Sequence, residues 1–249
     1  MTFPFSTHNY QLRFWMAAGG VDPDEDVRLV VLPPPYMVDS LASGHVDAFC
    51  VGAPWNSIAV DQGVGHILHF VSDILVRAME KVLAVRQNWS EKNPQVVAAL
   101  IRAAARAVQF IEQPQNRAEA ARMLAQPERI GVDADVIQRT LDGRIKVSPD
   151  GTTRECRYLL GREDTARPDP VQAAWLYAQT VRWGQAAISP EALKTAMAVF
   201  RPDLYDAALG REGKPADGPD TIGAFSGPPF DADDIAGHLA AFKIGRRRS

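Results

Sequence analysis

Cysteine is nearly absent from this chain. There are two in 249 residues, Cys50 in an apolar stretch and Cys156 in a polar one, and two such residues imply no disulfide framework. Both fit a reducing compartment. No apolar run approaches the ~20 residues of a membrane span. The opening Met1-Thr2-Phe3-Pro4-Phe5 lacks the basic region followed by an apolar one that marks a signal peptide. Basic charge is not in excess either. The net charge is −3, and the one basic cluster is the tail Arg246-Arg247-Arg248, which reads as a solvated end. That excludes direct nucleic-acid binding as the main business of the fold. The signature loops of common enzymes are missing: there is no G-x-S-x-G, no Walker loop, no G-x-G-x-x-G and no H-E-x-x-H. His66 and His69 stand three apart without acidic or cysteine partners, so no metal site is expected. The acidic run Asp22-Pro23-Asp24-Glu25-Asp26 reads as a solvated turn.

What is present is a globular composition, 46% hydrophobic and 23% charged, in a chain long enough for one large or two small domains. Residues 9–19 read as a helix, with Tyr10, Phe14 and Ala17-Ala18 on one face and Gly19-Gly20 as the stop. Val27–Leu32 reads as a short apolar strand running into three prolines, and Val46–Val51 as a second. Met37–Ser43 and Trp55–Gln62 read as helices ended by Gly44 and Gly63, and Ile67–Ser72 and Val82–Val85 as further strands. This alternation predicts an α/β lobe with a largely parallel sheet over residues 1–90. From Asn93-Pro94 onward the pattern turns helical, with helices expected at 94–112, 116–125, 133–141, 170–183 and 189–199. Ser189 before Pro190 is a good cap. Residues 142–169 look polar and irregular. The domain scheme is therefore 1–90, a helical part 91–209 returning to the other lobe, and a linker with tail helix, 210–249.

Three residues of the first ninety, with two more beside them, stand at element ends where an anion can be held. His8 follows Ser6-Thr7 at a helix entrance, whose free N–H groups and dipole favour negative charge. Taken alone, it reads as a capping-region histidine bonded to backbone. Gly52 closes an apolar strand before Pro54-Trp55 and allows close backbone approach, but a simple turn uses glycine equally. Lys81 heads another strand and offers a point charge. A surface ion pair with Glu80 is the commoner fate of such a lysine. Trp55, with Pro54, fits a cleft wall, although an aromatic at a helix start more often joins the core.

In order along the chain, Ser6-x-His8-Asn9, Leu12-Arg13-x-Trp15-x-Ala17-Ala18-Gly19-Gly20-x-Asp22-Pro23, Pro33-Pro34-Pro35, Asp47-x-Phe49-Cys50-Val51-Gly52-x-Pro54-Trp55-Asn56 and Glu80-Lys81-Val82-Leu83 form a long match, continued by Trp89, Pro94, Asn116-Arg117 and Arg182-Trp183-Gly184. Through these pieces residues 5–209 resemble the C-terminal part of the nitrate/bicarbonate-binding proteins of ABC importers. The resemblance implies a periplasmic-binding-protein-like fold of the second type, with most of the first lobe outside this chain. It implies an oxyanion held partly by His8 and Lys81, with the Gly52 turn beside them, and no enzymatic activity or cofactor. Where the family often has Gly-Glu-Pro-Trp, this chain has Gly52-Ala53-Pro54-Trp55, which argues against the calcium ion of the bicarbonate binders.

The tail Phe230-Asp231-x-Asp233-Asp234-Ile235-Ala236-x-x-Leu239-Ala240-x-Phe242 resembles that of a cytoplasmic branch, which senses nitrate or nitrite and controls an antiterminator. The expectation is therefore a cytoplasmic nitrate-responsive regulator with an antiterminator partner. The alternative is the substrate-binding component of a nitrate or bicarbonate importer, partnered by an ABC permease. A second alternative is an enzyme of the thiamine-precursor-synthase kind, for which Cys50 would be the only candidate nucleophile.

Overall fold

A computed structural model describes residues 1–156, 165–211 and 222–245. In chain order its helices are α1 (Thr7–Ala18), α2 (Met37–Ala42), α3 (Trp55–Asp61), α4 (Val71–Ile74), α5 (Gln87–Lys92), α6 (Pro94–Glu112), α7 (Arg117–Leu124), α8 (Ala134–Asp142), α9 (Pro170–Arg182), α10 (Pro190–Val199), α11 (Pro202–Leu209) and α12 (Ile235–Ala240). Two short strands, β1 (Arg144–Lys146) and β2 (Thr153–Glu155), pair antiparallel with Ile145 opposite Arg154. The chain divides into two compact units, each discontinuous in sequence: Met1–Ile74 with Ile111–Tyr158, and Leu75–Phe110 with Leu159–Ser249.

In the first unit α1 begins where the sequence signals it. The Ser6 hydroxyl accepts the Asn9 N–H at 3.2 Å, and the chain leaves the helix through Gly20 at φ 85°. Tyr10 and Phe14 are buried on one face of α1, as their spacing requires. α7 packs on α8, α8 and α3 on β1, and α2 on α3. Met37, Val38, Val60, Ala121, Ile137 and Ile145 supply buried core side chains. Gly143 ends α8 in the left-handed region, φ 72°, and sends the chain directly into β1.

In the second unit α9 is the central element. Ala174, Trp175 and Ala178 on it are almost wholly inaccessible, and α10 and α12 both pack against it. Ser189 caps α10, accepting the Ala192 N–H at 3.2 Å. The tail closes onto α9 through Arg182. Its guanidinium lies 4.1 Å from the Phe242 ring centroid and 4.8 Å from that of Trp183, and it donates to the Ile244 carbonyl at 2.9 and 3.1 Å. Burial pushes the Arg182 pKa down to about 10. His238 stands edge-on to Phe230 and Phe242, with centroids 5.0 and 5.1 Å away.

The strands expected from the sequence require a correction. Residues 27–32, 46–51 and 82–85 form no strand ladder among the described residues, and residues 71–72 of the segment 67–72 already belong to α4. The physical reason is that a strand exists only against a neighbour. These segments find little within their own units: the Leu32 N–H reaches the Met1 carbonyl at 3.0 Å, and the Ile67 N–H reaches Val147 at 2.9 Å. Val31, Val82, Leu83 and Val85 remain exposed although their composition is that of buried strands. The sheet that does form, β1–β2, lies in the stretch read as irregular. Residues 157–164 of that stretch, and 212–221 of the expected 210–230 linker, fall outside the described residues.

Candidate anion site

His8 is the second residue of α1 and is buried, with its Nδ1 at 3.4 Å from the Thr2 hydroxyl. The turn that carries it is held from below. Asn9 donates through Nδ2 to the Pro4 carbonyl at 2.6 Å and accepts from Arg13 Nε at 3.2 Å. Arg13 in turn pairs with Asp24 at 2.8 Å. The acidic turn is thus more than solvated surface. Asp26 and Asp22 carboxylates accept the Asp22 and Asp24 N–H groups at 2.7 and 3.0 Å, and the turn so formed offers Asp24 to α1. The Asn9–Arg13 spacing of four on a helix is the sequence signal for this bracing.

Gly52 and Pro54 lead into α3 in the same unit. Pro54 is buried, Gly52 and Trp55 are half-buried. The Asn56 side chain donates back to the Val51 carbonyl at 3.1 Å and so fixes the turn on which Gly52 sits. His69 stacks on Trp15, with ring centroids 5.5 Å apart. Burial pushes the Cys156 thiol up, which makes it a poor nucleophile at neutral pH.

Lys81 belongs to the second unit. Its side chain is 78% exposed and its ammonium rests 2.5 Å from a Glu80 carboxylate oxygen. This is the surface ion pair that the sequence admits as the commoner fate. The ammonium keeps further N–H groups for an anion beyond the one that meets Glu80, an exposed pair worth about 0–1 kcal/mol.

Chemically, the first unit offers a braced helix entrance with an imidazole and a half-buried glycine turn, and the second offers an accessible cation. All are hydrogen-bond donors or can be, which suits a small oxyanion. Comparison with known proteins decides the family. The model of the NMT1-like family matches residues 1–125. The chain belongs to that family. It is 33% identical to a nitrate import ATP-binding protein, NrtC, of Synechocystis over 99% of this chain and 37% of that protein. It is 31% identical to a nitrate/nitrite-binding protein, NrtA, of Synechococcus elongatus over 98% of this chain and 57% of that one. The crystal structure of the periplasmic nitrate-binding protein NrtA from Synechocystis superposes with a TM-score of 0.90 at 28% identity, over 98% of this chain and 66% of that one.

The periplasmic-binding-protein-like fold implied by the sequence therefore holds, although the expected parallel ladders do not form among the described residues. The chain spans little more than a third to two thirds of the proteins it matches. The expectation of a cytoplasmic protein is overturned: the solved protein that this chain follows over nearly its whole length is a periplasmic one.

Proposed function

We propose that this chain is part of a non-enzymatic receptor for a small oxyanion, nitrate or nitrite, serving an ABC importer in the periplasm. The observation that supports it most is the likeness to the nitrate-binding protein over 98% of the chain, with relatives named for nitrate import and nitrate binding. His8 and Lys81 contribute donors to the anion, and Gly52 keeps the backbone beside it open. Trp55 and Pro54 wall the site. The regulator acting on an antiterminator has less behind it. Ile235 of the tail helix is buried and Phe242 lies over the Arg182 guanidinium of α9, so these apolar residues dock on the second unit itself. The enzyme reading rests on Cys50 alone, which the sequence places in an apolar stretch, where a thiol is inert.

The test is an NMR titration of the full chain with sodium nitrate, nitrite, bicarbonate and chloride at constant ionic strength. Nitrate and nitrite shift the His8 ring signals with millimolar affinity, and chloride does not. Lys81→Ala weakens nitrate by about 1.5 kcal/mol, the low end for a charged hydrogen bond because the ammonium is exposed. If no oxyanion moves His8, the reading fails.

A further inference from the structure

The face of α1 that carries His8 also carries a buried amide. Residues three and seven positions beyond a helical residue share its face, and for His8 these are Gln11 and Trp15. Trp15 stacks on His69, and α4 packs on α1, so this face is turned into the first unit. Gln11 is 1% exposed, and its Oε1 is buried with no hydrogen-bond partner among the described residues. A buried polar atom without a partner is costly, and native proteins keep few of them. A long helical side chain leans back over the residues three and four before it, which for Gln11 are His8 and Thr7. The amide is thereby aimed at the helix entrance, where the peptide dipoles favour negative charge. The charged pair that braces α1 stands on another face: Arg13, which holds Asp24, follows Asn9 by one turn.

We propose that Gln11 is a further anion-binding residue of this entrance, donating an amide N–H to the same oxyanion that His8 meets. A glutamine amide carries both donors and an acceptor, and half a turn about its terminal bond exchanges the two ends. Nitrate and nitrite only accept hydrogen bonds, so they take the Nε2 end. An apolar side chain of the same length would suit this interior better, because it leaves no polar atom unbonded. A glutamine standing here is accounted for by a ligand that uses it, and binding is then favoured at the cost of stability. This role for Gln11 rests on the oxyanion-receptor reading and adds a contact to it.

The experiment titrates the full chain with sodium nitrate, against sodium chloride at the same ionic strength, and follows the Gln11 side-chain NH2 and His8 ring resonances. In the parent chain nitrate moves both. Gln11→Met, which keeps the length and removes the amide, weakens nitrate about tenfold, the worth of one hydrogen bond to a charged group. In chloride the same variant has a thermal midpoint about 2–4 °C higher, because the unbonded amide is gone. A purely structural glutamine gives the opposite pair, a lower midpoint with nitrate affinity kept. Gln62→Met, at an exposed position behind α3, changes neither quantity. Nitrate that moves His8 but not the Gln11 amide, or a Gln11→Met chain with the parent affinity or a lower midpoint, overturns the role of Gln11 and leaves the receptor reading standing. Nitrate that moves neither side chain overturns both.

Discussion

Single residues set two conditions that can be measured. Gly143 holds φ 72° where α8 meets β1, and a Cβ there would come 2.8 Å from the Cys156 carbonyl oxygen. Gly151, at φ 94°, has open space around it. Gly151→Ala is therefore expected to cost about 1 kcal/mol for backbone strain alone, and Gly143→Ala more than that, as read from urea unfolding midpoints. Equal costs would mean that the close approach relaxes freely. The second condition is the fork between Arg167 and Asp206, which bonds Nε to Oδ1 at 2.9 Å and Nη2 to Oδ2 at 2.8 Å, with both side chains largely buried. The Arg167 hydrogen bonds hold the Asp206 carboxyl below the usual carboxylate range. A depressed folded pKa stabilises above the unfolded value, and that contribution is lost as pH falls through the folded one. Asp206→Asn is expected to cost about 3 kcal/mol at neutral pH, since one partner of a buried pair is removed. The gap to the parent should narrow in acid unfolding curves below about pH 4, where the unfolded carboxyl is already protonated.

At the scale of elements, local signals decided what was legible. Helices α1, α6, α8 and α10 could be placed because Ser6, Pro94, Asp133 and Ser189 mark their starts and because their apolar residues recur at helical spacing. Ser189→Ala is expected to lower stability by about 1 kcal/mol through loss of the cap to Ala192, seen as an earlier thermal midpoint. The strands were not legible in the same way. Val27–Leu32 and Val82–Val85 have strand composition, but pairing is a non-local property that composition cannot supply. Conversely, the short β1–β2 hairpin lay hidden in polar sequence, although Pro149-Asp150-Gly151 is a turn signal, realised as the Thr152 N–H bonded to Asp150 at 2.9 Å. Of the candidate site, the helix entrance at His8 and the Lys81–Glu80 pair could be read directly. The Arg13–Asp24 brace requires the turn that follows α1 to fold back on the helix. The tail gives a further test. Phe242 covers the Arg182 guanidinium, so Phe242→Ala should raise amide exchange across residues 235–244 while leaving α10 unchanged. Uniform change through the second unit would show instead that the tail is part of its global core.

For the whole molecule, the question is how much binding energy a chain of this span can express. Each unit has its own buried core, yet the donors carried over from the family are split between them: His8 and Gly52 belong to the first, Lys81 to the second. A receptor of this fold gains stability from its anion only in proportion to the donors that act together, and linkage makes this measurable. At a nitrate concentration equal to Kd the stabilisation is about 0.4 kcal/mol, rising only logarithmically beyond. With a Kd of about 1 mM, ten millimolar sodium nitrate stabilises by about 1.4 kcal/mol and is expected to raise the thermal midpoint of this chain by about 3–5 °C over the same concentration of sodium chloride. His8→Ala should abolish the difference. A rise of many degrees would mean micromolar binding, hence that this chain assembles a complete site by itself. No difference at all, with or without His8, would mean that the anion is not its ligand.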